Sequence, residues 1–372
     1  MLGKNRLIRR AALALLTGAM SITLLVQAPG QSEAKELKKV KIGVATTFLG
    51  ITYPWLMMPQ ALGYWKDEGY DVQVLPIGGS LQVIQQMVGG GVDIGQINAS
   101  ALIQSKDTND IQMRAFMTNG VVDSAIAVLS DSPIKDVKDL KGKKIGVFNL
   151  ASGHIPFLKA YLSANDIDPD NGVQLISVGF GASAVQALRS GQVDALDFWA
   201  SANAIFENAG LSLRRIADPK WRALPDFSMV AMQSEIDQHL DVLEAIARGA
   251  AKASLFAATN PDCVRKVQWK NWPDTKPTGS SDEATLAKWD INSLQAQLDS
   301  MKSAREINPS KLWGQTSADG YGRMQDFFKE TGLVQKTVPN KDLVITDQAF
   351  FERVNKFDHD AVVASAKACD IK

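Results

Sequence analysis

Residues 72–100, VQVLPIGGSLQVIQQMVGGGVDIGQINAS, return about 101 residues later as residues 173–201, VQLISVGFGASAVQALRSGQVDALDFWAS. Gly78, Gly90, Val92-Asp93 and Ala99-Ser100 of the first copy match Gly179, Gly191, Val193-Asp194 and Ala200-Ser201 of the second. The prelude repeats too, Lys41-Ile42-Gly43-Val44 reappearing as Lys144-Ile145-Gly146-Val147. Each copy reads as a short apolar strand, a Gly/Ser turn, an amphipathic helix, a glycine stop and a second strand. That is the plan of a βαβ unit with parallel strands. Two such units predict an α/β chain of two similar lobes. Loops at the carboxyl ends of open α/β sheets gather on one edge, so lobes that face each other place a small ligand in the cleft between them.

Length and charge fit this plan. At 372 residues the chain is long enough for two cores, since single cores stop growing at roughly 250 to 300 residues. Forty basic and forty acidic side chains cancel, so no net field favours nucleic acid or an anionic membrane surface.

The first 34 residues stand apart. Lys4, Arg6, Arg9 and Arg10 make a basic start, Ala11 to Val26 is an apolar run too short for a comfortable bilayer span, and Ser32-Glu33-Ala34 offers small residues for cleavage near Ala34. An export signal is expected, with an uncleaved anchor as the alternative. The mature chain is then soluble outside the cytoplasm, in the periplasm of a Gram-negative cell. The cysteines are Cys263 and Cys369, without a nearby His or Cys at metal-ligand spacing. An oxidising compartment permits a bridge between them, worth about 4 to 5 kcal/mol on the loop-entropy model; two separate thiols are the other reading.

A pass along the chain divides it into 35–121, the first part of lobe one; 122–224, lobe two; and 225–372, a return to lobe one followed by helices. A helix is expected from about Leu56 to Glu68, ended by Gly69, with strands near Asp71–Pro76, Val92–Gln96, Met113–Thr118, Ser124–Leu129 and Phe227–Met232. Amphipathic stretches at Asp237–Thr259, Asp282–Met301 and Ser317–Glu330 predict a helical tail packed on lobe one and the back of the cleft. Trp269, Trp272, Trp289 and Trp313 fall in this tail, away from any strand-to-helix turn, and read as packing residues.

Gly79-Ser80 before a helix, Gly90-Gly91-Val92-Asp93-Ile94-Gly95 after it, Asp139-Leu140-Lys141-Gly142-Lys143-Lys144-Ile145-Gly146-Val147, and Ser190-Gly191-Gln192-Val193-Asp194-Ala195 occur in that order. Together they resemble the nitrate, taurine and aliphatic-sulfonate family of solute-binding proteins, which includes binders of thiamine-pyrimidine precursors. The resemblance covers residues 40 to 260. It implies a type II periplasmic-binding fold that hands a small solute to an ABC permease and its ATPase in the inner membrane. No cofactor is implied, and a monomer is expected.

Ser80, Ser152-Gly153 and Ala182-Ser183 each stand at a strand-to-helix turn, where free backbone N–H groups favour an anionic head group. The same residues also serve simply to cap and turn their helices. Phe48 and Tyr53 in the first turn, and Trp199 after the last repeat strand, are placed to cover a ligand's apolar body. Asn98, Ser100 and Asn119 supply short polar groups at strand ends. Asp197 stands where taurine-binding relatives carry an aromatic, which speaks against a plain sulfonate. Asp197 and Asp226 either accept from a ligand N–H or pair with a neighbouring base. No arginine falls at a strand-end turn to clamp a carboxylate. The expected solute is a small organic anion or zwitterion: a sulfonate, an aromatic acid or a nitrogen heterocycle.

Enzyme chemistry has little support. His154 follows Ser152-Gly153 at the cleft edge and is a candidate ligand contact, but no Ser-His-acid set is visible; His239 and His359 fall in helical tail segments. Phosphate-loop and dinucleotide glycine fingerprints are absent. Thiamine-pyrimidine synthases share the implied fold, but an export signal argues against their chemistry. A module that reports ligand to a membrane sensor is the remaining alternative.

Overall fold

The computed structural model describes residues 36–371, so the expected export signal lies outside the described residues. The chain lays down β1 (Lys38–Val44), α1 (Pro54–Ala61), α2 (Tyr64–Asp67), β2 (Tyr70–Pro76), α3 (Ser80–Val88), β3 (Ile94–Ile97), α4 (Ala99–Asn109) and β4 (Met113–Thr118). It continues through β5 (Ala125–Leu129), β6 (Lys144–Val147), α5 (Ile155–Ser163), β7 (Gln174–Ser177), α6 (Ala182–Arg189), β8 (Ala195–Phe198), α7 (Ala200–Asn208) and β9 (Leu213–Ile216), and returns as β10 (Ser228–Met232).

These strands form two five-stranded sheets of one design. The first has the order β2-β1-β3-β10-β4 and the second β7-β6-β8-β5-β9. In each, the three repeat strands are parallel, and the strand that enters from the other lobe, β10 or β5, runs antiparallel to its neighbours. The repeat also sets which helix faces are buried. Val83, Ile84 and Met87 of α3 face inward, as do Ala184, Val185 and Leu188 at the matching positions of α6. That i, i+1, i+4 spacing makes one apolar stripe on a 3.6-residue helix.

Two segments connect the lobes and lie side by side. Asn119 N–H donates to the Phe227 carbonyl, Asp226 N–H to Gly120 and Val122 N–H to Leu224, each at 2.9 Å. Residues 119–122 and 224–227 therefore make a short antiparallel ribbon between the two sheets.

The helical tail comprises α8 (Gln233–Gln238), α9 (Leu240–Thr259), α10 (Pro261–Asn271), α11 (Glu283–Glu306), α12 (Ala318–Glu330), α13 (Gln348–Val354) and α14 (His359–Ala368). One face of the first sheet packs with α1, α9 and α10, whereas α3, α4 and α12 cover the other. In the second lobe α5 covers one face, and α6 and α7 the other. Helix α11 reaches the second lobe, where Asn208 Nδ2 donates to the Trp289 carbonyl at 2.9 Å. A disulfide joins Cys263 of α10 to Cys369, with Cα atoms 5.6 Å apart.

Two expected helices are divided. The stretch Leu56–Glu68 breaks at Gly63, whose φ of 79° is the left-handed conformation that glycine adopts without a Cβ penalty. The stretch beginning at Asp237 breaks at His239, whose non-helical backbone separates α8 from α9.

Candidate functional site

The strand ends of both sheets, the connecting ribbon and α11 converge on a narrow chamber of about 50 Å³. Tyr53 and Asn98 reach it from the first lobe, Phe148, His154 and Trp199 from the second. The ribbon and its continuation contribute Asp123, Asp226 and Phe227, while Gln297 and Ser300 of α11 close the back. Thr52, Tyr53 and Trp199 also line a second cavity of about 760 Å³, so the chamber opens beside a much larger space. Phe48, Phe180 and Trp289 stand on the wall of that larger cavity.

The aromatic wall is built on Trp199, the N-cap residue of α7. Its indole stacks on Phe180 with centroids 5.6 Å apart and planes 6° from parallel. Phe148 meets it edge-on at 6.1 Å, and the His154 ring lies 5.8 Å away. On the first-lobe side, Tyr53 packs against Trp55 and Phe227.

The polar wall is acidic. Asp226 Oδ1 accepts from Ala99 N–H at 3.1 Å and its Oδ2 from Asn98 Nδ2 at 3.0 Å, so this ribbon carboxyl closes the N-terminus of α4. Asp123 Oδ1 accepts from Ala200 N–H at 3.3 Å and does the same for α7. Burial pushes the Asp226 carboxyl up to about 7, opposed by the Asn98 bond and reinforced by the neighbouring charge of Asp123. Burial also raises Asp123, against the bonding of Ser300 and Ala200 N–H and the field of Arg222. His154 is 5% exposed, and its Nε2 is buried without a hydrogen-bond partner. Burial pulls its pKa down to about 4, so the ring is neutral at neutral pH.

The residues singled out in the sequence divide into three groups. Tyr53, Asn98, Ser152, His154, Trp199 and Asp226 line the chamber. Phe48 lines the larger cavity and is 45% exposed. The others lie elsewhere. The Ser100 hydroxyl donates to the Gly153 carbonyl, and a Cβ added at Gly153 would fall 2.2 Å from Ser80 Oγ and 2.4 Å from Asn98 Oδ1. Ser80, Ser100 and Gly153 thus seal the lobes against each other. Asn119 donates to Gln96 Oε1 at 3.1 Å within the first-lobe core. Ser183 is exposed on α6, its hydroxyl donating to the Phe180 carbonyl at 3.3 Å. Two of the three serine-bearing turns therefore face each other, while the third leaves Ser183 exposed and lines the larger cavity through Gly181 and Ala182.

Asp197 is also off the chamber wall. It is 4% exposed on β8 with one carboxyl oxygen unpartnered, and alternation along the strand puts it on the same face as Ala195, the face that α5 covers. Trp289, read from the sequence as packing, instead lines the larger cavity. Asp123, Phe148, Phe180, Gln297 and Ser300 escaped the sequence reading. Asp123 alone carried a signal, as an acid in the first crossover matching Asp226 in the second.

Residues 55–263, more than half of the chain, match the family model described as NMT1/THI5 like. The chain belongs to the NMT1/THI5-like family. A relative in this size range is YtlA of Bacillus subtilis, provisionally named as a binding protein, 20% identical over 87% of this chain and 92% of its own. Among solved structures, a protein of Bordetella bronchiseptica RB50 is 22% identical, with a TM-score of 0.67 over 86% of this chain and 98% of its own. The alkanesulfonate-binding protein SsuA of Xanthomonas axonopodis pv. citri, solved with MOPS bound, is 17% identical, with a TM-score of 0.58 over 83% and 98%. At these identities the likeness is one of fold: this NMT1/THI5-like chain has the two-lobed type II periplasmic-binding architecture, with a helical C-terminal region. Among the described residues no helix is long and apolar enough to cross a membrane.

Proposed function

We propose that this chain is the exported solute-binding component of an ABC importer. It acts in the periplasm as a monomer without a cofactor and delivers its cargo to an inner-membrane permease and ATPase. One observation carries the reading: the chamber lies where the strand ends of both lobes meet, against the ribbon that connects them. A ligand placed there touches residues from both lobes at once, so binding energy favours the closed arrangement over the open one. Lobe one, residues 35–121 with 225–372, and lobe two, residues 122–224, close about the ribbon. The solute is small and organic, polar at the end that enters the chamber and apolar at the end that fills the larger cavity.

Small-angle scattering of residues 35–372, unfolded and refolded to remove any carried solute, tests the reading. Addition of a solute that raises the thermal midpoint is expected to contract the particle. A bound solute with an unchanged scattering profile would sink the closure mechanism.

A further inference from the structure

Resting on the reading of the chamber as the solute site, we propose that the solute's buried head group is a nitrogen cation, an ammonium or amidinium, rather than a sulfonate or carboxylate. Anion binding at strand-to-helix turns relies on free N–H groups at helix N-termini. At α4 and α7 the chain has consumed those donors itself. The Ala99 N–H and the Asn98 amide are bonded to Asp226, and the Ala200 N–H is bonded to Asp123. Each carboxylate offers about four acceptor positions; Asp226 spends two on Asn98 and Ala99, and Asp123 accepts from Ala200 N–H, Ser300 and its own N–H, so acceptor capacity is left on the chamber wall. Among the described residues that line the chamber there is no lysine or arginine. An anion entering it would meet two carboxyls and no compensating charge, whereas a cation would be paired by both.

A second, independent observation points to a ligand at this place. His154 is 5% exposed, lines the chamber, and has its Nε2 buried without a partner. An unsatisfied ring nitrogen in an inter-lobe chamber is the mark of a missing polar contact. As a neutral imidazole it accepts from an ammonium or amidinium N–H in one tautomer. The carboxyl of Asp226, raised first by burial and further by the charge of Asp123, adds to this, since an arriving cation stabilises its ionised form.

The apolar walls are of the matching kind. Trp199 presents a large π face stacked on Phe180, and Phe148 and Tyr53 flank the chamber. Aromatic faces attract cations through the ring quadrupole and repel anions. The larger cavity beyond Trp199, lined by Phe48, Phe180 and Trp289, gives the solute's body room in the range typical of small-molecule pockets.

Matched probes on one phenyl scaffold test the charge preference: benzylamine and benzamidine against benzoate and benzenesulfonate, by calorimetry and thermal shift on residues 35–372 at pH 8. The two cations are expected to bind at least about tenfold more tightly than the two anions, and this margin should shrink about tenfold in Asp226→Asn, whose amide can still cap α4. The wild-type comparison stands even if the variant fails to fold. Tighter binding of benzoate or benzenesulfonate overturns the cationic head group while leaving the solute-binding reading intact. Failure of all four at millimolar concentration also overturns the cationic head group, and the scattering titration then decides the solute-binding reading separately.

Discussion

Asp123 and Asp226 hold equivalent places in the two halves of the chain: each stands at the connecting ribbon and closes the N-terminus of a repeat helix in the lobe that the chain is entering, Asp123 at Ala200 and Asp226 at Ala99. Ala99 and Ala200 are themselves repeat partners. The connecting ribbon and the chamber are therefore built from the same few residues. On the proposed function, a solute held by the two carboxyls would bridge both lobes and so couple occupancy to closure without any longer path.

Asp197 sets a pH-dependent tax on stability. Burial raises its carboxyl from 3.8 to about 7, and one oxygen has no partner. The folded state thus holds a proton that the unfolded state has released between about pH 4 and pH 7, so stability falls as pH rises through that window. His154 acts with the opposite sign: its folded pKa is depressed to about 4, so its contribution is present above about 6.5 and is lost on acidification. Asp197→Asn should leave the contribution of His154 in place and stabilise the chain by about 2 to 4 kcal/mol at pH 8, with little gain near pH 4. Thermal midpoints at both values check this. An equal gain at the two pH values would show that Asp197 does not titrate as described.

Trp199→Ala should separate binding from folding. The indole is partly exposed on the cavity wall, and its contacts are edge and face contacts with Phe148, Phe180 and His154. Truncation is expected to cost about 1 to 2 kcal/mol of stability, less than the roughly 3 to 5 kcal/mol of a core aromatic, while weakening any solute that shifts the wild-type midpoint by about tenfold or more. A core-sized loss of stability with unchanged affinity would remove Trp199 from the site.

How much of this was legible in the sequence follows from what a repeat can and cannot encode. The match of Val83, Ile84 and Met87 with Ala184, Val185 and Leu188 is local periodicity, and both helices bury those faces. Tyr53, Asn98, His154 and Trp199 sit at turns that the repeat marks, and they reach the chamber. Gln297, Ser300 and Trp289 lie on a tail helix whose contact with α7 is set by tertiary packing, and no spacing in the chain announces it. The anion expectation came from counting free helix N-termini. What that count does not register is that the N-termini of two further helices, α4 and α7, are claimed by carboxyls from distant crossover segments, 127 and 77 residues away in sequence.

The disulfide fastens the last helix to the body of the first lobe. Cys263 and Cys369 close a separation of 106 residues, and Asn260 Nδ2 reaches the Ala366 carbonyl beside it at 2.9 Å. Cys263→Ser with Cys369→Ser should lower unfolding stability by about 2 to 5 kcal/mol. Denaturant midpoints of the variant and of the reduced wild type should agree. A midpoint unchanged by reductant would mean that the link constrains nothing in the unfolded ensemble.

Gly153→Ala should act as a wedge between the lobes. The added methyl carbon would fall 2.2 Å from Ser80 Oγ and 2.7 Å from Asn98 Cβ, both in the opposite lobe. Neither neighbour retreats easily. Asn98 is tied to Ser80 and Asp226, and Ser80 is wholly buried. The overlap is therefore relieved most readily by rotating the lobes apart about the ribbon, which leaves each sheet and its helices intact. Gly79→Ala tests the same contact from the other side, since its Cβ would stand 2.4 Å from the Ala151 carbonyl oxygen. Both variants should keep a wild-type circular dichroism spectrum, scatter as a more extended particle, and bind solute at least about tenfold more weakly because the closed state is penalised. A variant that binds as tightly as wild type and scatters identically would show that this inter-lobe seal is not part of closure.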